Sequence, residues 1–334
     1  MKIVSKINSV VIKILEKRSF LLTGLLVLII LVFGITTPRF LTYPMFRVIT
    51  SQCAEIGLLG LGMGLAWMVN GVDLSVIDTA NLSALAAALV LQRSSKDGST
   101  AWLLLSYLTA MFTGIICGAL NGLLIGYFDV PPILATLGGM TLYRGISIAV
   151  TKGRTIAGLP LTVAQIGRGV VLNIPIPFII FLGIYAVMFC VLNYTAFGFK
   201  VKMVGVNPKA AYFSGINYRR VITSVYIVSG FLSSIAGIII MGRTRSVAYE
   251  YGTQVYIVFA LLITNLAGVS AGQYGVTAVL LATLTLQVLS TGFYTRFMTL
   301  PGGPFFNNFL WGLFLVAVLI FSQILNRLKI RKFV

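Results

Sequence analysis

The chain has 334 residues, 58% of them hydrophobic and 10% charged, with a mean hydropathy of +1.00. Soluble globular domains carry about a quarter charged residues, so a soluble fold is excluded and a polytopic membrane protein is expected. The net charge of +18 comes from 25 Lys and Arg against 7 Asp and Glu. These cations flank apolar runs rather than forming a face interleaved with aromatics, so they read as topology signals and lipid anchors and not as a nucleic-acid surface. There is no His, and Cys53, Cys117 and Cys190 sit in apolar runs without a C-x-x-C pair. No metal site, disulfide framework or cofactor bound by this chain is expected.

In chain order, Lys2, Lys6, Lys13, Lys17 and Arg18 alternate with apolar residues, giving residues 1–19 the look of an amphipathic segment on the inner leaflet. A span needs about 20 apolar residues to cross about 30 Å of hydrocarbon. That rule places spans near 20–35, 55–69, 74–92, 101–128 and 133–150, then 176–195, 221–241, 255–271, 276–292 and 305–325. The expected fold is an all-α bundle of about ten spans, a single membrane domain over 1–334, because no loop is long enough to hold a soluble one. With the N-terminus inside, fourteen Lys and Arg fall on the inner side and ten on the outer. The three densest clusters all land inside: the N-terminus, residues 198–220, and Arg327, Lys329, Arg331 and Lys332. Both termini are therefore expected in the cytoplasm.

The segment 198–220 holds Lys200, Lys202, Lys209, Arg219 and Arg220 with no acid. Within it Asn207 suits an N-cap, Pro208 a first helical position and Gly215 a helix end, which predicts a short helix on the inner face. That helix is a docking element or, on the plainer reading, part of a solvated loop. Polar or Gly-rich interruptions at 70–73 and 272–275 are the kind that mark an internal repeat with broken helices lining a pathway.

Among the acids, Glu16, Asp97 and Glu250 read as solvated, and Asp129, just before Pro131 and Pro132, as a turn residue. Glu55, Asp73 and Asp78 lie at or in spans, where a charge costs about 2.5 to 3.5 kcal/mol at the centre and is functional by default. Arg144 falls inside an apolar run and must snorkel, pair or face water; Glu55 is a conceivable partner. Asp73 either caps the following helix or serves transport directly.

Four motifs in order resemble the permeases of ribose-type sugar ABC importers, the branched-chain amino acid/ribose permease family. The run Gly205-Val-Asn-Pro-Lys-Ala-Ala-Tyr-Phe-Ser-Gly215-Ile-Asn is similar to G-x-N-x-x-A-A-x-x-S-G-I. Gly71-Val-Asp-Leu-Ser-Val76 is similar to G-I-D-L-S-V-G, although Ile77 and Asp78 stand where that family has Gly-Ser. Asn121-Gly-Leu-Leu with Pro131 through Gly145 resembles N-G-x-L followed by I-P-x-x-x-T-L-G and R-G, and Ser229 through Ile239 resembles S-G-x-x-A-x-x-A-G-I. The family's L-G-G-T-S-L-x-G-G is not kept at 262–272.

The resemblance implies a type II importer-like permease of the bacterial inner membrane, a transport subunit and not an enzyme. It puts Asn207, Lys209, Ala210, Ala211, Ser214, Gly215 and Ile216 against an ABC ATPase subunit. ATP would bind that partner, since this chain has no G-x-x-x-x-G-K-[ST] loop. Further implied partners are a periplasmic or lipid-anchored sugar-binding protein and a second permease, either a copy or a paralogue. A pathway for a neutral sugar needs hydrogen-bonding walls, which makes Asn70, Asp73, Ser75, Thr136, Asn265 and Gln287 candidates; hydrogen bonding between helices competes for each. The alternative function is an ion-coupled secondary transporter of a small polar solute, using Asp73 or Asp78. An intramembrane enzyme is argued against by the missing His and the lack of paired carboxylates.

Overall fold

The computed structural model describes residues 18–38, 40–93, 100–297, 309, 312, 313 and 316. Most of the N-terminal segment 1–19, all but four residues of the expected span 305–325, and the C-terminal basic cluster lie outside the described residues.

The first half runs α1 (Arg18–Thr36), α2 (Tyr43–Met68), α3 (Val76–Gln92), α4 (Thr100–Gly126) and α5 (Pro132–Thr151). A loop follows, with β1 (Ile156–Ala157), α6 (Leu161–Arg168), β2 (Val170–Val171) and β3 (Ile174–Pro175). The second half is α7 (Ile176–Tyr194), α8 (Ala196–Val206), α9 (Pro208–Phe213), α10 (Tyr218–Thr244), β4 (Ser246–Val247), α11 (Thr253–Ala267) and α12 (Val276–Phe297). Prolines open α2, α5, α7 and α9, where a missing N–H costs nothing.

Among the described residues, seven helices are long and apolar enough to cross a membrane: α1, α2, α4, α5, α7, α10 and α12. The shorter apolar helices α3 and α11 bring to nine the expected spans that are helical. Two boundaries differ from expectation. The second span starts at Tyr43 rather than near residue 55, because Arg47, Ser51 and Gln52 interrupt the apolar run without interrupting the helix. The basic segment 198–220 is helical from its start, with α8 ahead of the short helix that Asn207 and Pro208 predict.

Helix α10 is the hub, packed on α2, α3, α4 and α6. Its contact with α4 is close because α4 presents glycines every fourth residue. A Cβ at Gly118 would lie 2.2 Å from the Tyr226 carbonyl oxygen, and one at Gly114 would lie 2.4 Å from that of Gly230. In a membrane such small-residue contacts let backbones meet and replace the hydrophobic drive that lipid cannot supply. Helices α1, α4, α5 and α7 leave most of their apolar surface exposed, as lipid-facing elements do.

Helices α2 and α10 run antiparallel, so the bundle has two distinguishable ends. At one end the start of α2 and the end of α10 meet α6 and the two small strand pairs. There β1 pairs with β4, and β2 pairs with β3 around Leu172 and Asn173, both with positive φ as a tight two-residue hairpin turn requires. At the other end the last residue of α2 meets α8 and the loop after α11: Gly272 N–H donates to the Met68 carbonyl at 2.9 Å. The two interruptions expected at 70–73 and 272–275 are therefore neighbours.

Candidate functional site

The α9 end is built from local signals that work as the sequence expects. Asn207 ends α8 in extended backbone and its Oδ1 accepts from Ala210 N–H at 3.1 Å. Pro208 takes the first helical position, and the chain leaves the helix through Gly215 at φ 78°. The seven residues expected to face a partner divide into two sets. Ala211 is fully buried and anchors the helix, and Ile216 is half-buried, packing on the core while also lining the groove of this end. Asn207, Lys209, Ala210, Ser214 and Gly215 are exposed.

Between them stand Tyr212 and Phe213, 63% and 86% exposed, with rings 5.8 Å apart in an edge-on arrangement. Together with Pro208, Lys209, Tyr218 and Arg219 they line an open groove of about 1080 Å³. Two large aromatics are thus exposed side by side on an otherwise cationic surface. They fall inside the motif, but motif matching gave them no role.

Next to this surface lies the break between α2 and α3, residues 69–75. Asn70 adopts a left-handed φ of 61° and its Nδ2 donates to the Gly205 carbonyl of α8 at 2.8 Å. Asp73 is buried, and every oxygen is used. Oδ1 accepts from Ser75 N–H at 3.1 Å and Ser75 Oγ at 2.7 Å, and Oδ2 accepts from Ser229 Oγ of α10 at 2.7 Å. Ser75 Oγ in turn accepts from Asn121 Nδ2 of α4 at 2.8 Å, and the Tyr143 hydroxyl of α5 donates to Asn121 Oδ1 at 3.0 Å. Thr136 Oγ1 donates to the Val72 carbonyl at 3.1 Å. A carboxylate accepts only, so three donors around it compensate part of its lost hydration.

The expected cap is thus modest. Asp73 takes one backbone N–H, that of Ser75, which itself occupies the cap position of α3 without a side-chain bond. The larger role of Asp73 is to join the break to α10.

Of the expected pathway residues, Asn70, Asp73, Ser75 and Thr136 gather at this break. Asn265 donates to the Leu261 carbonyl within its own helix at 2.9 Å. Gln287 reaches Gln52 at 2.6 Å and Thr291 at 3.1 Å, joining α12 to the first half of α2, about 24 Å along that helix from Met68. The structure therefore places Gln287 away from the break.

The remaining buried acids are ion-paired. Asp78 holds Arg144 through two bonds, Nε to Oδ1 at 3.0 Å and Nη2 to Oδ2 at 3.2 Å. Glu55, fully buried, holds Arg243 through Nε to Oε1 at 2.5 Å and Nη2 to Oε2 at 3.1 Å. Tyr256 donates to Glu55 Oε2 at 2.8 Å, and Arg243 also donates to the Tyr251 hydroxyl. Glu55 is therefore not the partner of Arg144, and Arg243 belongs to the last turn of α10 rather than to an outer loop. The exposed Asp129 lies 3.9 Å from Arg219 in a turn with φ 51°.

Comparison with known proteins agrees with this architecture. The family described as the permease component of the branched-chain amino acid transport system matches residues 45–323. The ribose import permease protein RbsC of Bacillus subtilis (strain 168) is 33% identical over 274 residues, covering 80% of this chain and 82% of the relative. The autoinducer 2 import system permease protein LsrD of Escherichia coli (strain K12) is 28% identical over 319 residues, covering 93% of this chain and 94% of the relative. No solved structure matches. With the motif-bearing loop, the break after α2 and six of the seven apolar helices in the matched region, only α1 lying wholly ahead of it, the chain belongs to the family of branched-chain amino acid transport system permease components.

Proposed function

We propose that the chain is the membrane permease subunit of a bacterial inner-membrane ABC importer for a monosaccharide or related sugar, moved by separate ATPase subunits that dock on α9. The observation that carries this reading is the exposed pair Tyr212 and Phe213 on a short, capped helix among Lys200, Lys202, Lys209, Arg219 and Arg220. The cation-rich α9 end is the cytoplasmic one by the charge rule, and the α6 end then faces outward. Ten spans with both termini in the cytoplasm remain the count that fits these charges. The names of the relatives, ribose and autoinducer 2 permeases, support a sugar-like solute.

In this reading a sugar-binding protein delivers its cargo at the α6 end and a second permease, copy or paralogue, completes the membrane unit. ATP on the partner subunits acts through α9 to shift the bundle between outward-open and inward-open states, which requires that ATP interact differently with the two. An ion-coupled carrier fits less well. Asp73 already accepts three hydrogen bonds and Asp78 is paired with Arg144 through both oxygens, so a cation at either would compete with bonds already made.

The test is affinity purification in mild detergent from the native host, comparing wild type with Phe213→Arg. Phe213 is preferable to Gly215, whose φ of 78° would strain any other side chain. An ATPase subunit retained by wild type and lost from Phe213→Arg is the expected result. A wild-type chain that purifies alone and still transports contradicts the importer reading.

A further inference from the structure

We infer that the break at 69–75 is the joint through which movement of the α8–α9 arm reaches the membrane core, with Asn70 as its positioning residue. This rests on the reading of α9 given above. The carbonyl of Gly205 lies in the last turn of α8, where carbonyls have no donor within the helix. Asn70 supplies that donor from 135 residues away, although it is itself exposed and water could have served.

Around this bond Gly205 meets its neighbours backbone on backbone. A Cβ at Gly205 would lie 1.9 Å from the Met68 carbonyl oxygen and 2.4 Å from Gly272 N, while one at Gly272 would meet the Val206 side chain at 2.4 Å and the Lys202 carbonyl oxygen at 2.8 Å. Side-chain rotation cannot absorb a shift where Gly205 touches Met68, so displacement of α8 is passed to the end of α2. The arm itself is short: Asn207, the cap of α9, follows Gly205 by two residues.

On its other side the break is fastened to three helices within five residues of Asn70. Val72 is held by Thr136 of α5, Asp73 by Ser229 of α10, and Ser75 by Asn121 of α4. One segment therefore links the docking helix to the hub α10 and to α4 and α5. The Asn70 amide is the only side-chain hydrogen bond between the break and α8 among the described residues.

The test uses the full complex, with its ATPase and binding protein, reconstituted in proteoliposomes and supplied with ribose. Asn70→Gly keeps the left-handed backbone and removes the amide; Asn70→Asp keeps the shape and turns an acceptor toward the Gly205 carbonyl. Both are expected to raise ATP hydrolysed per ribose imported by about five-fold or more, while ATP turnover per complex stays within about two-fold of wild type. The control is Asn81→Ala, which removes a buried amide donating to the Tyr249 and Tyr251 carbonyls at 3.3 and 3.1 Å, toward the α6 end. It is expected to leave the ratio unchanged. An unchanged ratio in the Asn70 variants, or an equal rise in Asn81→Ala, overturns the inference.

A second arm needs no solute. Hydrogen exchange of the vanadate-trapped complex is expected to change at both 207–215 and 69–75 in wild type, but only at 207–215 in Asn70→Gly. A change at both segments in the variant, or none at 69–75 in wild type, overturns the inference. A wild-type chain that recruits no ATPase instead contradicts the function proposed above.

Discussion

The two halves of the bundle bury their carboxylates in opposite ways. On the α6 side of the break, Glu55 and, in the first turn of α3, Asp78 each face an arginine in two-point contact, and Tyr251 and Tyr256 complete the Glu55 site. At the break itself, Asp73 has no cation in contact among the described residues and is held by Ser75 and Ser229. Ion pairs tie helices at fixed points and lose most when one partner is removed. A web of hydroxyls and amides can be re-formed in another arrangement, since each donor rotates and finds a new acceptor. The first arrangement suits an end that stays rigid, and the second suits an end that must respond to a docked partner.

The largest effect is expected at Arg243. Arg243→Ala leaves Glu55 buried and unpaired and should lower stability by about 3 to 5 kcal/mol, read as resistance to SDS denaturation, whereas Arg243→Met with Glu55→Gln should recover most of it. Arg144→Ala is expected to cost less, about 2 kcal/mol, because Asp78 lies in the first turn of α3, where the free N–H groups of the helix start still favour a carboxylate. If the two losses are equal, the helix start is not what separates the pairs.

At the other end Ser229→Ala should cost about 1.5 kcal/mol, the value of one hydrogen bond to a charged group. Its coupling to Ser75→Ala in a double-mutant cycle measures how far the web acts as a unit. Smallest is Asn207→Ala, about 0.5 to 1 kcal/mol for a lost cap. That change should appear as faster proteolysis within 198–220 with no shift in global unfolding.

What was legible in the sequence was what chemistry fixes locally. Asn207 and Pro208 announce α9 because cap and first turn are three residues apart, and Pro132 announces α5 because proline suits a first helical turn. The partners of the buried charges were not legible. Glu55 and Arg243 are 188 residues apart, and Asp78 and Arg144 are 66 apart, so no local pattern pairs them. Only the short supply of buried acids narrowed the choice, and it left Arg144 open between candidates. Asp73 was half legible: its bond to Ser75 is a two-residue turn, but Ser229 lies 156 residues away. The start of α2 was obscured because Arg47, Ser51 and Gln52 face a cavity of about 320 Å³ beside Arg168 and Arg243, which only the assembled bundle forms.

The opposition of the two ends is tested most directly by sidedness. Single cysteines at Leu172, 91% exposed at the β2–β3 turn, and at Phe213 on α9 would be placed in a chain lacking Cys53, Cys117 and Cys190. Each would then be treated with a membrane-impermeant thiol reagent in spheroplasts and in inverted vesicles. The account predicts labelling at 172 only in spheroplasts and at 213 only in inverted vesicles. Labelling of both from the same side, or the reverse pattern, would contradict it.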